Sequence, residues 1–153
     1  MIIEYKNPLL LGSICSIHDG FISSMDLICK LLALNNCKLY ITSSDRCSTN
    51  VRGAIVTPAQ MSNHLVGHAI DCNIYDASGK LWNSKVLEVF APESPNYDST
   101  ISNEILDFIK AVRQSGILRW GGDFHEFDTV HFDDGLNISN PARWKQIYAE
   151  LFP

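Results

Sequence analysis

Two histidines and two aspartates, in two distant stretches of the chain, have the residue types and spacing of a hydrolytic metal site. His64 and Asp71 lie seven positions apart in SNHLVGHAID, residues 62–71. Asp128 and His131 lie in DTVHF, close to sixty residues further on. Imidazole nitrogens and carboxylate oxygens are ordinary zinc ligands, so these four residues are the first candidates for chemistry.

A catalytic zinc ion needs three protein ligands and one open position for water. We expect His64, Asp71 and His131 to supply the three ligands to one zinc ion per chain. A turn at Gly67 would let the first two side chains reach one point, and His131 would come from a neighbouring strand. The ion would then polarise a carbonyl group and lower the pKa of its bound water to about 7.

Asp128 and Arg46 are the candidate catalytic side chains beside the metal. Asp128 precedes His131 by three positions, which keeps it near the metal as a general base, although it could be only a turn residue. Arg46 follows a predicted strand, and its guanidinium could stabilise an oxyanion or bind a substrate carboxylate. Arg52 competes with Arg46 for this role, and either arginine could instead form a salt bridge with Asp71.

Other polar residues near these stretches have simpler interpretations. His68 is expected to be a strand residue near the site and not a ligand. Ser62 either hydrogen-bonds the site or begins the turn. The residues predicted to be solvated or hydrogen-bonded loop residues are Asp123, His125 and Glu126, of which Asp123 could support its turn.

Hydrophobic periodicity predicts the elements that must position these residues. Helices are expected at 18–34, 102–115 and 141–151, with Ser102 as a possible cap of the second. Strands are expected at 38–42, 68–74, 117–120 and 130–132, with a long loop at 43–62. Helices at both ends and strands between them indicate an α+β fold, a small antiparallel sheet flanked by helices in one domain spanning 1–153.

Composition excludes several classes of function. The chain has 153 residues and a net charge of −5, with no basic run. Nucleic acid is therefore not an expected partner, and no apolar stretch is long enough for membrane insertion. The N-terminus lacks a basic leader, so we expect either a protein kept inside the cell or one whose leader has been removed. The sequence does not indicate the oligomeric state.

Cysteine usage favours a reducing compartment. The five cysteines form an odd number, and no pair has the spacing of a C-x-x-C motif. We expect mostly buried thiols, with one or two disulfides as the alternative. None lies in a sequence context that would activate it as a nucleophile.

The motifs resemble those of the M15 zinc peptidases, which cleave peptidoglycan stem peptides as D-alanyl-D-alanine carboxypeptidases, dipeptidases or L-alanyl-D-glutamate endopeptidases. SNHLVGHAID is similar to the family's first signature, WGGDFHEFDTVHFD to its second, and YITSSDR to its strand ending in arginine. The resemblance implies the hedgehog/DD-peptidase-like fold, ligands at His64, Asp71 and His131, a base at Asp128 and a substrate-binding Arg46. It also implies a stem-peptide substrate, and hence synthesis in the cytoplasm with action at the cell wall, as in a phage lysin or an exported enzyme.

The chain departs from the family pattern at Phe124, Val130 and Asp133, where Trp, Pro and Glu or Gln are usual. These departures leave the ligands intact and make substrate preference an open question. The acid at Asp128 favours the endopeptidase and carboxypeptidase branches without choosing between them. The alternatives are a non-catalytic, zinc-stabilised binding module on the same fold and a metal-free structural domain.

Overall fold

The computed structural model describes residues 1–46 and 61–153. Its helices are α1 Ile22–Leu34, α2 Glu104–Gln114, α3 Leu136–Ser139 and α4 Pro141–Leu151. Its strands are β1 Ile2–Tyr5, β2 Leu10–Gly12, β3 Cys15–His18, β4 Lys38–Ser43, β5 Ala69–Tyr75, β6 Leu81–Trp82, β7 Arg119–Trp120 and β8 His131–Asp133. Short 3-10 helices occupy Asp19–Phe21, Asn63–Val66, Val86–Phe90 and Gly121–Asp123. The predicted α+β class is confirmed.

The main sheet has the strand order β2-β4-β5-β8-β7, and β6 pairs with the far end of β5. Every pairing in this sheet is antiparallel, as predicted, except that of β2 with β4, which is parallel. A parallel pair needs a crossover connection, and the chain between β2 and β4 contains α1. The first and third strands form a separate two-stranded antiparallel sheet, which the sequence analysis missed.

The core lies between the main sheet and helices α1 and α2. Apolar side chains at helical spacing in both helices are fully buried against the sheet: Met25, Ile28, Leu32, Ile105, Phe108, Ile109 and Val112. Burying one such side chain contributes roughly 1.5–3 kcal/mol. A second cluster joins α4 to the Asn63–Val66 turn through Val66, Trp144 and Ile147, so the closing helix packs behind one of the candidate ligand segments.

Two helix starts differ from the predictions. The first α-helix begins at Ile22 and not at residue 18, because His18 still pairs with Ile2 in the small sheet. Asn103, and not Ser102, caps α2: its side chain accepts a hydrogen bond from the backbone N–H of Leu106 at 3.1 Å. An Asn side chain at this position satisfies a donor that the first helical turn leaves free.

Four of the five cysteines lie in the described part of the chain, and all four are buried free thiols. They are Cys15, Cys29, Cys37 and Cys72. The remaining one, Cys47, and the competing Arg52 lie outside the described residues, as does most of the predicted long loop. Within the described ranges, no helix is long and apolar enough to cross a membrane.

Candidate metal and catalytic site

The turn that carries His64 is fixed at both ends. The side chain of Ser62 accepts a hydrogen bond from the backbone N–H of His64 at 3.3 Å, so Ser62 begins the turn. Gly67 ends it with a φ of 70°, a conformation that favours glycine. A Cβ atom at Gly67 would lie 2.5 Å from the backbone nitrogen of His18, so a side chain has no room there. The predicted turn at Gly67 is confirmed.

Asp71 and His131 are direct cross-strand neighbours. The register of β5 and β8 pairs Asp71 with His131. On its other side Asp71 pairs with Ser43 of β4, next to a register shift between Ile41 and Ser43. Such bulges redirect the chain beside functional sites, and here the chain runs on from the bulge to Arg46.

Three ligand atoms converge between these elements. His64 Nε2 lies 3.0 Å from Asp71 Oδ1 and 3.2 Å from His131 Nδ1, and His131 Nδ1 lies 3.4 Å from Asp71 Oδ1. All three residues are buried, and they form a group whose ligand atoms lie within 4.8 Å of one another. The structure therefore brings together the three side chains that were predicted as ligands.

The outward-facing ring nitrogens show which atoms are available to a metal. His64 Nδ1 lies 2.7 Å from the carbonyl oxygen of Ser44, and His131 Nε2 lies 2.7 Å from Asp133 Oδ2. Because both partners only accept hydrogen bonds, both outward nitrogens must donate. The inward nitrogens, His64 Nε2 and His131 Nδ1, then face the Asp71 carboxylate. Once a metal ion displaces any proton held between them, these three atoms form a donor set that zinc binds.

The charges of the cluster also fit a cation. Burial by itself would raise the pKa of Asp71 and lower that of His131. Hydrogen bonding between the histidines and Asp71 outweighs burial and holds the pKa of Asp71 well below its usual value. Hydrogen bonds to Asp133 and Asp71 similarly raise the pKa of His131 to about 9. The protein therefore favours positive charge at the centre of this cluster, and a zinc ion would supply it.

Arg46 lies at the edge of the site but contacts a candidate ligand. Its Nη2 group donates to Asp71 Oδ2 at 2.5 Å, and its Nε donates to Ser43 Oγ at 3.2 Å. The Arg46–Asp71 salt bridge that the sequence analysis weighed is therefore present. About half of the side chain remains accessible (45% exposed), so the predicted action of Arg46 on a substrate stays a prediction.

A cavity of about 280 Å³ opens beside the histidines, and its lining includes Arg46 and Asp128. Asp128 is exposed, and among the described residues no side chain hydrogen-bonds its carboxylate. Its backbone is held firmly: its N–H donates to the Gly121 carbonyl at 2.9 Å, and its carbonyl accepts from the His131 N–H at 3.2 Å. A Cβ atom at Gly121 would lie 2.3 Å from the Asp128 carbonyl oxygen, so only glycine allows this close approach.

The neighbouring polar residues that were not predicted as ligands lie outside the ligand cluster. His68 Nδ1 lies 2.7 Å from Asp134 Oδ2, so these two side chains pair with each other and not with a candidate ligand. Asp123 pairs with Arg113, with two contacts of 2.8 Å, and so supports its turn. Glu126 lines the cavity, and His125 is exposed.

Asp133 and Arg119 line the same cavity and were not predicted as site residues. Asp133 was noted only as a departure that bears on substrate preference, whereas its carboxylate contacts His131. Arg119 was not singled out, yet it donates two hydrogen bonds to Asp133. One signal was available: residues i and i+2 of a strand share a face, so Asp133 lies on the same face as His131.

Residues 56–134, just over half of the chain, match the family model described as D-alanyl-D-alanine carboxypeptidase, one of the M15 peptidase models. The match contains His64, Asp71, Asp128 and His131, and Arg46 lies outside it. Among solved structures, the L-Ala D-Glu endopeptidase ChiX of Serratia marcescens is similar at 18% identity and a TM-score of 0.43, covering 78% of this chain and 81% of that one. That likeness is too weak to indicate an activity. No curated protein matches the chain.

Proposed function

Because the chain belongs to the M15 peptidase family, we propose that it hydrolyses a peptide bond in the stem peptide of peptidoglycan, with one zinc ion held by His64, Asp71 and His131. The observation that carries the proposal is the convergence of His64 Nε2, Asp71 Oδ1 and His131 Nδ1 within 4.8 Å of one another. This cluster lies beside a cavity that also contains an accessible carboxylate at Asp128. A ligand set, a candidate base and room for a substrate are therefore adjacent.

Zinc bound there would polarise the scissile carbonyl and favour attack by water. The Asp128 carboxylate accepts the proton of the attacking water and then delivers it to the nitrogen of the leaving amine. Its exposure and its held backbone suit this role, because the side chain reaches the cavity while its position stays fixed. The outward hydrogen bonds of His64 and His131 keep both imidazoles in the orientation that ligation needs.

Arg46 serves the same reaction from the rim of the cavity. Its contact with Asp71 Oδ2 leaves Oδ1 directed at the two histidines, so Arg46 orients the ligand carboxylate. Its accessible part can also receive the negative charge of a substrate carboxylate or of the developing oxyanion. D-alanyl-D-alanine has a free C-terminal carboxylate after its scissile bond, and D-glutamate supplies one after the L-alanyl-D-glutamate bond, so this chemistry accommodates either bond.

The test is digestion of purified muropeptides by the zinc-loaded protein, with mass spectrometry of the products. Loss of one terminal alanine identifies carboxypeptidase activity, and release of the peptide after its first alanine identifies the endopeptidase. Metal content is measured on the same preparation by elemental analysis. The expected result is one zinc ion per chain and one of these two products.

A non-catalytic binding module gives a different result in the same experiment. It would contain zinc and leave every muropeptide intact. Intact muropeptides with zinc present would refute the peptidase and favour the module, whereas a folded protein without zinc would refute both.

A further inference from the structure

Asp133 lies two residues after His131 at the end of β8, and it is only 2% exposed. Its carboxylate accepts hydrogen bonds from several donors. They are His131 Nε2 at 2.7 Å, Arg119 Nε at 2.7 Å, Arg119 Nη2 at 2.8 Å, the Gly135 N–H at 2.9 Å and Asn63 Nδ2 at 3.2 Å. A buried carboxylate with this many donors has one preferred orientation.

Asp133 connects the two segments that carry the candidate histidine ligands. It contacts His131 directly, and it contacts Asn63, the residue before His64. Asn63 is itself held by Asn137, whose backbone N–H donates to Asn63 Oδ1 at 3.0 Å. A shift of the Asp133 carboxylate would therefore act on both histidines, although they lie 67 positions apart in the chain.

Arg119 forms a two-contact salt bridge with Asp133. It binds both carboxylate oxygens, and its guanidinium lies 4.8 Å from the ring centroid of Phe124. A second pair, Arg113 with Asp123, has the same two-contact geometry at 2.8 Å in each contact. Because this second pair contacts none of the three candidate ligands, it provides a matched comparison.

We propose that Asp133 is a positioning residue of the metal centre, held in place by Arg119. It fixes the His131 ring with the proton on Nε2 and the Nδ1 lone pair directed at the metal, and through Asn63 it restrains the turn that carries His64. This inference rests on the proposed zinc site and goes beyond the ligand set by adding a residue that acts on the metal through His131 and Asn63.

The decisive variant is Asp133→Asn, which keeps the size of the side chain and removes its charge. The neutral amide cannot serve both Arg119 and His131 as the carboxylate does. Loss of such a hydrogen-bonded partner typically lowers metal affinity 10- to 100-fold. We expect a loss in that range when zinc affinity is measured by competition with a chromophoric chelator, and an altered visible spectrum of the Co²⁺-substituted protein. The matched control, Asp123→Asn, should leave both readouts unchanged.

Zinc affinity and a Co²⁺ spectrum equal to those of the native protein would overturn the inference. If Asp133→Asn fails to fold, Arg119→Gln replaces it, with Arg113→Gln as its control, and a smaller loss of affinity in the Arg119 variant alone is expected. Equal affinities in those two variants would also overturn the inference.

A measurement on the native protein makes the result independent of any variant. Nitrogen-15 NMR of the zinc-loaded protein reports which ring nitrogen of each histidine carries a proton. Coordination of His131 through Nδ1 with a proton on Nε2 supports the role of Asp133, and coordination through Nε2 refutes it. Native protein that binds zinc but leaves muropeptides intact would refute the proposed activity alone, because these readouts do not depend on turnover.

Discussion

Replacing Asp128 by asparagine separates the role of the base from that of the ligands. Asparagine keeps the shape of the side chain but cannot accept a proton from water. The backbone contacts of residue 128 with Gly121 and His131 involve only main-chain atoms, so the variant can retain them. The side chain is exposed and none of the described residues hydrogen-bonds its carboxylate, so little stability depends on it.

The expected size of the effect follows from the role of a general base. Proton transfer by a positioned side chain contributes roughly 10²- to 10⁴-fold to the rate. At about 1.36 kcal/mol per tenfold change, this corresponds to a barrier higher by about 2.7–5.4 kcal/mol. We expect kcat for muropeptide hydrolysis to fall by this factor, with zinc content and KM nearly unchanged, because Asp128 is not one of the ligands.

Glu126→Gln is the matched control for Asp128→Asn. Glu126 is also an acidic residue that lines the cavity, so the control tests a general loss of negative charge. It should retain activity within about threefold, since an exposed charge contributes little by itself. Native-like kcat in Asp128→Asn, or an equal loss of rate in the two variants, would refute the assignment of Asp128 as base.

Three further predictions concern stability. Zinc at about 1,000 times its Kd should raise the free energy of unfolding by about 4.1 kcal/mol, and calorimetry should show no such gain in His131→Ala. Gly121→Ala should lower the free energy of unfolding in urea by about 1–3 kcal/mol and should also lower kcat. The new Cβ would lie 2.3 Å from the Asp128 carbonyl oxygen and 2.8 Å from the His131 Cβ. A variant as stable as the native protein would contradict this close approach. Burial, and after it the N-terminal amino group, lowers the pKa of His18 from 6.5. At this residue the unfolded chain therefore binds a proton at a higher pH than the folded protein does, so protonation of His18 lowers stability as the pH drops below 6.5. His18→Asn keeps an acceptor for the Gly20 N–H and should reduce this fall in urea titrations between pH 7.5 and 5, and an unchanged slope would contradict the explanation.

The parts of the fold that the sequence predicted well carry strong local signals. Helix α4 has the predicted bounds, since Asn140 caps it and Pro141 occupies its first turn, where proline costs no hydrogen bond. The second helix was recognised from its apolar stripe. The pairing of β1 with β3 was not, because two four-residue strands give little periodic signal and their pairing depends on distant residues.

In the site, residue types could be predicted from the sequence, whereas several side-chain contacts could not. His64, Asp71 and His131 could be recognised because a metal restricts which residue types can bind it and because their spacing is distinctive. The contact of Arg46 with Asp71, and that of Asp133 with His131, depends on where the side chains lie after folding. The spacing of these residues in the sequence does not determine whether their side chains contact each other, solvent or a substrate.

The geometry of the metal site ultimately depends on the packing of the strand pair that carries it. The register that pairs Asp71 with His131 also pairs Ile70 with Phe132, and both of these apolar side chains are fully buried in the core. Because side chains alternate along a strand, a slip by one residue would move the apolar pair out of the core and the Asp71 carboxylate into it. An unpaired carboxylate in that environment would cost several kcal/mol at least, which is a large part of the stability of a typical domain. The apolar contacts of Ile70 and Phe132 therefore select the one register in which the ligands can meet, so substitutions in that core pair should weaken metal binding without touching a ligand.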